Sequence, residues 1–344
     1  MKILINIPKI YGGVYNHYWG LYPYWNENVK YNSIGRRSWK KNSGILWLPW
    51  DLIRFVLTVI FWKPDVIVVN PSFTLSAISR DVFFIKLAFF LKKKVFVFFH
   101  GWHKEEENNI DKKKLTEVLN KVSGIIVLAQ EFELSLKQMG VVAPIHKATT
   151  KVNDNLLQDF NINDRSGCVN TLLFLARVEK EKGIFTLLDA FAIIKKKYSH
   201  LHLRVVGDGE ALTNAIRYVD ENKIKDVFFS GRLSGKDLAK EFIKGDLYIL
   251  PTYHGEGMPA SVLEAMAFGL PIITRPVGGL IDFFTNQMGV FVESLDPQDY
   301  VYEIEKYIKS SESVKEISIF NYNFAKENFL ASSVARKIES ILRM

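Results

Sequence analysis

Two glutamates carry the first chemical signal in this sequence. Glu256 lies in a short polar loop, residues 252–257, and Glu264 follows eight positions later in a stretch, 259–268, of helix-forming composition. An apolar run at 247–250, stopped by Pro251, precedes the loop, and a second at 271–274 follows the helix, so the unit reads as strand–loop–helix–strand. Pro259 falls near the first helical turn and Gly269 just past the last. A helix N-terminus offers free N–H groups and the positive end of a dipole, which together attract phosphate. Carboxylates beside a phosphate accept hydrogen bonds from hydroxyls. That pairing points to a sugar nucleotide.

Open parallel sheets bind ligands at the carboxyl ends of their strands, and polar or glycine residues fall at those ends in turn. Gly12 and Gly13 follow the first strand, and His100 and Gly101 follow the strand 95–99. Arg177 follows the strand 172–176, and Gly207-Asp208-Gly209 the strand 201–206. Lys182 stands just before the helix 183–197. Cations are unfavourable near the positive end of a helix dipole, so an anion is expected to meet them there. Loss of a diphosphate develops negative charge on the leaving oxygens, which fixed cations stabilise most in the transition state.

The run Glu256 to Ala267, E-G-M-P-A-S-V-L-E-A-M-A, resembles the E-x7-E signature of the family-4 retaining glycosyltransferases, which have the GT-B fold. The similarity extends from about Thr171 to Val292 and thins towards the N-terminus. It implies two doubly wound, parallel-sheet Rossmann-like domains facing across a cleft. It implies that Arg177 and Lys182, in A-R-V-E-K-E-K-G, grip the donor diphosphate, with Lys180 as a rival to Lys182. Glu264 would then hold the ribose hydroxyls and Glu256 would face the transferred sugar. Backbone N–H groups of Gly257, Met258 and Ala260 would hold oxygens, while Pro259 has none to offer. Arg232 and Leu233 would line the base pocket, with Gly207 and Gly209 as a tight turn beside the base. Gly12 and Gly13 would let the first domain's loop approach the diphosphate. The aromatic run 15–24 departs there from the commoner pattern of the family. His100, in V-F-V-F-F-H-G-W, would meet the donor sugar; its alternative is a buried neutral histidine. His103, Lys104, Glu105 and His254 lie nearby without an assigned role.

Such a site implies hexosyl transfer from a UDP- or GDP-sugar with retention and no covalent intermediate, a phosphate oxygen taking the acceptor's proton. No metal and no other cofactor is expected. The expected acceptor is a glycan or a lipid-linked precursor of surface polysaccharide, lipopolysaccharide or capsule. Two alternatives stand beside it: a sugar-nucleotide epimerase or hydrolase on the same fold, and a non-catalytic sugar-nucleotide-binding scaffold.

Composition bounds these readings. The chain has 344 residues, 48% apolar and 24% charged, as expected of a soluble globular protein of two domains. A single cysteine, Cys168, leaves no intramolecular disulfide and suits a reducing cytoplasm. The start has only a short apolar run before Pro8, unlike a secretory signal. Residues 1–165 hold 23 Lys+Arg against 14 Asp+Glu, and the remainder 22 against 23, so the first half carries the whole net charge of +8. No nucleic-acid-binding signature accompanies that excess. The stretches 45–62 and 83–99 are aromatic and apolar but interrupted by charges, and neither makes a convincing membrane span. They read either as a surface touching anionic lipid or as core helices with lysines on their solvent faces. The expected location is the cytoplasm, with peripheral attachment to the inner face of the membrane. Residues 1–160, with a returning helix over 324–344, form the expected acceptor-side domain, and 161–323 the nucleotide-sugar domain.

Overall fold

The computed structural model describes residues 1–10, 12–37, 43–102, 109–253 and 257–344. These residues fall into two units, and α12 (Ala331–Arg343), the last helix, groups with the first. The first unit otherwise runs to Lys151 and includes residues 257–258. In chain order it holds β1 (Lys2–Pro8), α1 (Gly13–Leu21), β2 (Asn28–Ile34), α2 (Ser43–Trp62), β3 (Val66–Val69) and α3 (Leu75–Phe90). β4 (Lys94–Phe99), α4 (Lys112–Leu119), β5 (Gly124–Val127), α5 (Gln130–Gln138) and β6 (Ile145–Lys147) follow. The six strands are parallel, in the order β2-β1-β3-β4-β5-β6. β3 and β5 are buried at every residue, and β4 at all but its first. That is why they read in sequence as unbroken Val, Ile and Phe.

The second unit repeats the plan. It contains β7 (Thr171–Leu175), α6 (Ile184–Lys197), β8 (His202–Val206), α7 (Leu212–Glu221), β9 (Val227–Gly231) and α8 (Gly235–Lys244). β10 (Leu247–Leu250), α9 (Ala260–Ala267), β11 (Ile272–Thr274), β12 (Gly289–Phe291), α10 (Pro297–Lys309) and α11 (Ser311–Asn328) complete it. Its parallel order is β12-β11-β10-β7-β8-β9, so the strand order reverses between β7 and β10. In the first sheet the reversal flanks β1. Ligand sites of open sheets lie at such reversals.

Several sequence expectations change here. The single helical segment expected over 324–344 falls in two helices, broken at Phe329 and Leu330. The Val152 N–H donates to the Phe329 carbonyl (2.7 Å), and Val152 and Leu330 form a parallel bridge. A partner far along the chain fixes the break, and no local glycine or proline signals it. The aromatic run after Gly13 holds the helix α1, and the stretch 45–62 lies in the helix α2, with Pro49 inside it. Among the described residues no helix is long and apolar enough to cross a membrane.

One half-buried cation braces the second unit behind its site. Arg165 donates to the carbonyls of Phe242 (2.8 Å), Ile243 (3.1 Å) and Phe268 (2.9 and 3.1 Å), and also to that of Gly245. These carbonyls end α8 and α9, where a cation complements the dipole. Burial pulls the guanidinium down to about 10, against the pull of Asp246 in the other direction, so it stays charged at neutral pH. α9 is thereby pinned at its C-terminus, which fixes where its N-terminus points.

Candidate active site

The expected donor-side residues in the second unit lie on loops stitched to one another at the carboxyl ends of its strands. After β7 the chain makes a short 3-10 turn, Lys180–Lys182, and Gly183 takes the left-handed conformation (φ 78°) before α6. A Cβ on Gly183 would lie 2.3 Å from the Pro251 carbonyl oxygen, so only glycine lets this turn meet the end of β10. The Glu181 carbonyl accepts from the Tyr253 N–H (2.9 Å) and from Thr252 Oγ1 (3.2 Å). Lys182 is buried at this junction of two loops. Arg177 is exposed and pairs with Glu179 at 2.6 Å. An ion pair with one exposed partner is worth little, so it holds Arg177 only weakly.

The loops after β8 and β9 are tied in next. The Val178 N–H donates to the Asp208 carbonyl (3.0 Å), the Ala211 N–H to that of Val178 (3.0 Å), and the Gly207 N–H to that of Gly231 (2.8 Å). Gly207 has φ 143°, and a Cβ there would fall 1.8 Å from the Ala176 carbonyl oxygen; one on Gly209 would fall 2.5 Å from that of Val178. These glycines therefore hold the Arg177 segment in place. Beyond Gly231, Arg232 is exposed and Leu233 half-buried.

α9 starts after Pro259 with no side-chain cap on its first N–H groups among the described residues. Tyr248 Oη donates to the Leu175 carbonyl (2.9 Å) and lies 2.7 Å from Ser261 Oγ, which fixes the first turn of α9 against the end of β7. Glu264 is half-buried, one turn beyond Ala260 and on the same face, while its neighbours Leu263 and Ala265 are buried. Glu256, which would complete the pair, lies outside the described residues, as do His103, Lys104, Glu105 and His254. Gly257 and Met258 group with the first unit. There, a Cβ on Gly257 would meet the His100 carbonyl oxygen at 3.1 Å.

In the first unit His100 ends β4 within a polar and aromatic cluster. Its ring stacks on Phe98 (centroids 3.9 Å apart), and Nε2 is 3.2 Å from Asn70 Oδ1. The Asn70 amide is oriented by its own bonds: Nδ2 donates to the Asn6 carbonyl (2.8 Å) and Oδ1 accepts from Tyr18 Oη (2.6 Å). Oδ1 can only accept, so His100 carries its proton on Nε2, leaving Nδ1 as an acceptor. Burial pushes the His100 imidazole down to about 3, so it is neutral at physiological pH. The role open to it is hydrogen bonding. His17 packs against it (5.0 Å), and neither of its buried ring nitrogens has a hydrogen-bond partner among the described residues. Burial, then the charges of His100 and Lys151, hold His17 well below its ordinary value.

Gly12 and Gly13 open α1 nearby in sequence. A Cβ on Gly13 would meet nothing within 4 Å, and one on Gly12 only the Ile10 carbonyl oxygen at 4.0 Å. Sequence reasoning missed Asn70, Tyr18, Thr252 and Tyr248. Asn70 and Thr252 fall just past the ends of β3 and β10, so the strand-end rule that selected His100 reaches them too. Tyr18 and Tyr248 carry no such signal, because each acts through a hydroxyl aimed at a distant strand end. Among the described residues no three His, Cys, Asp or Glu side chains are grouped to hold a metal ion.

Two parallel, Rossmann-like sheets with loops of this kind define the class, and comparison with solved structures identifies it as the GT-B fold. A crystal structure of Anabaena Alr3699/HepE in complex with UDP and glucose matches 100% of this chain and 99% of that one, with a TM-score of 0.72 at 16% identity. Residues 158–324 match the family described as glycosyl transferases group 1. The capsular polysaccharide biosynthesis glycosyltransferase CapM of Staphylococcus aureus is 30% identical over 169 residues, 47% of this chain and 42% of that protein. The lipopolysaccharide 1,2-N-acetylglucosaminetransferase of Salmonella typhimurium is 28% identical over 158 residues, 44% and 40% respectively. The chain thus spans less than half the length of these curated relatives.

Proposed function

We propose that the protein is a retaining, family-4-type glycosyltransferase that moves a hexosyl group from a UDP- or GDP-sugar to a hydroxyl of a lipid-linked or surface-polysaccharide acceptor. The observation that carries this reading is the buried Lys182 at the junction of the loops after β7 and β10, where the strand order of the second sheet reverses. An ammonium buried just ahead of α6, whose N-terminus has no side-chain cap among the described residues, suits an anionic ligand, and the similarity to capsule and lipopolysaccharide transferases supports the same direction.

In this reading Lys182 and Arg177 neutralise the departing diphosphate, and the free N–H groups of Ala260 and its neighbours hold its oxygens. Glu264 accepts hydrogen bonds from the ribose hydroxyls, and Glu256 acts on the transferred sugar. Arg232 and Leu233 flank the base. His100, neutral and with Nδ1 free of a proton, accepts from a sugar hydroxyl. The acceptor hydroxyl attacks the anomeric carbon from the face the diphosphate leaves. Its proton passes to a departing phosphate oxygen, so no side-chain base and no metal is required. Two-carboxylate displacement needs a nucleophile and an acid/base on either side of the bond, which this arrangement does not use.

The test is turnover of UDP- and GDP-sugars with and without a glycan acceptor. Lys182→Ala is expected to lower kcat about 10²–10³-fold, the usual effect of removing one transition-state charge partner. Sugar nucleotides should raise the apparent Tm of the wild type. Wild-type turnover in Lys182→Ala, or no thermal shift with any sugar nucleotide, overturns the reading. Acceptor-independent products would mark an epimerase or hydrolase instead.

A further inference from the structure

α2 is inverted relative to an ordinary surface helix. Its one acid, Asp51, is only 1% exposed, pairs with Arg37 and accepts from the Gly35 N–H (2.7 Å). Phe55 and Val59 are buried beside it, and Phe55 packs on Phe84 of α3 at 5.3 Å. The outward face is apolar from end to end. Leu46 is 81% exposed, Trp50 57%, Ile53 53%, Leu57 48%, Ile60 50% and Phe61 79%. Positions 46, 50, 53, 57 and 60 follow the i, i+4, i+7 repeat, so they form one stripe along a helix about 30 Å long. Contiguous exposed apolar surface of this extent marks an interaction site.

We infer that this face of α2 lies on an anionic lipid bilayer, in the plane of its headgroups. The inference rests on the surface of α2 and the residues flanking it, and stands independently of sugar transfer. Charge selects the occupant. Both ends of the stripe carry tryptophan beside cations: Arg37 lies over the Trp47 ring (5.3 Å), and Lys2 and Lys30 lie over the Trp62 ring (5.9 and 5.8 Å). Arg36 and Lys63 are exposed at the same two ends. α3 beside it exposes Phe83, Lys86 and Phe90 on one face. Aromatic and basic residues around an apolar face fit the headgroup region of acidic lipid. A second copy of the chain fits poorly, because a two-fold contact along α2 would set the cations of one end against those of the other. A span through the bilayer is excluded for this helix by its hydropathy and by the Asp51 network on its inner face.

Cosedimentation of the full chain with vesicles of equimolar phosphatidylglycerol and phosphatidylcholine tests the inference. Wild type is expected to bind these more strongly than pure phosphatidylcholine vesicles, and to be partly released by salt. Trp50→Ser/Ile53→Ser/Leu57→Ser should lower partitioning by about tenfold or more. Its fold is checked by an unchanged melting curve. Arg36→Glu/Lys63→Glu should weaken binding to anionic vesicles only. Trp50→Phe provides a readout that does not depend on a disruptive change: it should bind normally but lose much of the fluorescence quenching caused by brominated lipid. Absence of wild-type binding, equal binding by the triple variant, or a dimer that becomes monomeric in the triple variant without vesicle binding would each overturn the proposal.

Discussion

The first loop of each sheet ends in a glycine and leads into a helix, but the two glycine positions do opposite work. In the second unit, Gly183 and Gly207 are packed so closely against backbone that an added Cβ would overlap Pro251 or Ala176. In the first, Gly12 and Gly13 face space that no described atom of the protein occupies within nearly 4 Å. The loops of the second unit are thus held by one another. Those of the first rest on a cluster of aromatic and imidazole rings around Asn70. A glycine required by the fold and a glycine that leaves room look the same in sequence. They differ in what a methyl group would do.

The largest expected effect lies in the second unit. Gly207→Ala sets a Cβ 1.8 Å from a carbonyl oxygen and places a side chain at φ 143°. Overpacking and backbone strain together should destabilise that unit by about 3 kcal/mol or more. Urea denaturation followed by circular dichroism measures it. A variant as stable as wild type would show that the loop after β8 relaxes freely, and the contrast between the two units would fail.

An effect spread over several pH units should also separate the units. His100 in the folded protein titrates at about 3 against an ordinary 6.5, and His17 is also depressed. Between those values the unfolded chain binds protons that the folded one does not, so stability falls as pH drops from about 6.5 towards 3. The slope reaches at most about 1.4 kcal/mol per pH unit for each histidine. Above pH 6.5 neither contributes. His17→Phe/His100→Gln should flatten this limb, seen in thermal melts from pH 7 to pH 4. An undiminished limb would place the acid sensitivity elsewhere in the molecule.

The same contrast explains what could be read from the chain alone. β3, β4, β7 and β10 are covered on both faces, so each appears as a short apolar run between polar ends, and the strand-end rule then picks out Arg177 and His100. β2 escaped because it is an edge strand, N-V-K-Y-N-S-I, paired only with β1 and exposed at alternate positions. α1 escaped because the aromatic residues 15–24 hide a helical repeat whose buried positions are His17, Tyr18 and Leu21. The hydroxyl of Tyr248 and the carbonyls gathered by Arg165 have no local pattern, since their partners lie up to 103 residues away. Side chains that supply charge at strand ends are legible. Those that hold the ends in place are not.

The sharpest test of the comparison carries the smallest change in stability. Gly13 is the first residue of α1, its φ is not in the left-handed region, and a methyl group there meets nothing. Alanine is the better helix former, so Gly13→Ala should leave the Tm unchanged or raise stability by up to about 1 kcal/mol. If the space serves the donor, the added methyl blocks close approach to this backbone, and the thermal shift produced by a sugar nucleotide should shrink even though the apo protein melts no earlier. That split between an intact fold and a weakened ligand response is the reverse of what Gly207→Ala should show, where the fold itself is lost first. A full ligand-induced shift in Gly13→Ala would mean that the opening at the start of α1 is not used by the donor, and would move the search for its contacts to Asn70 and His100.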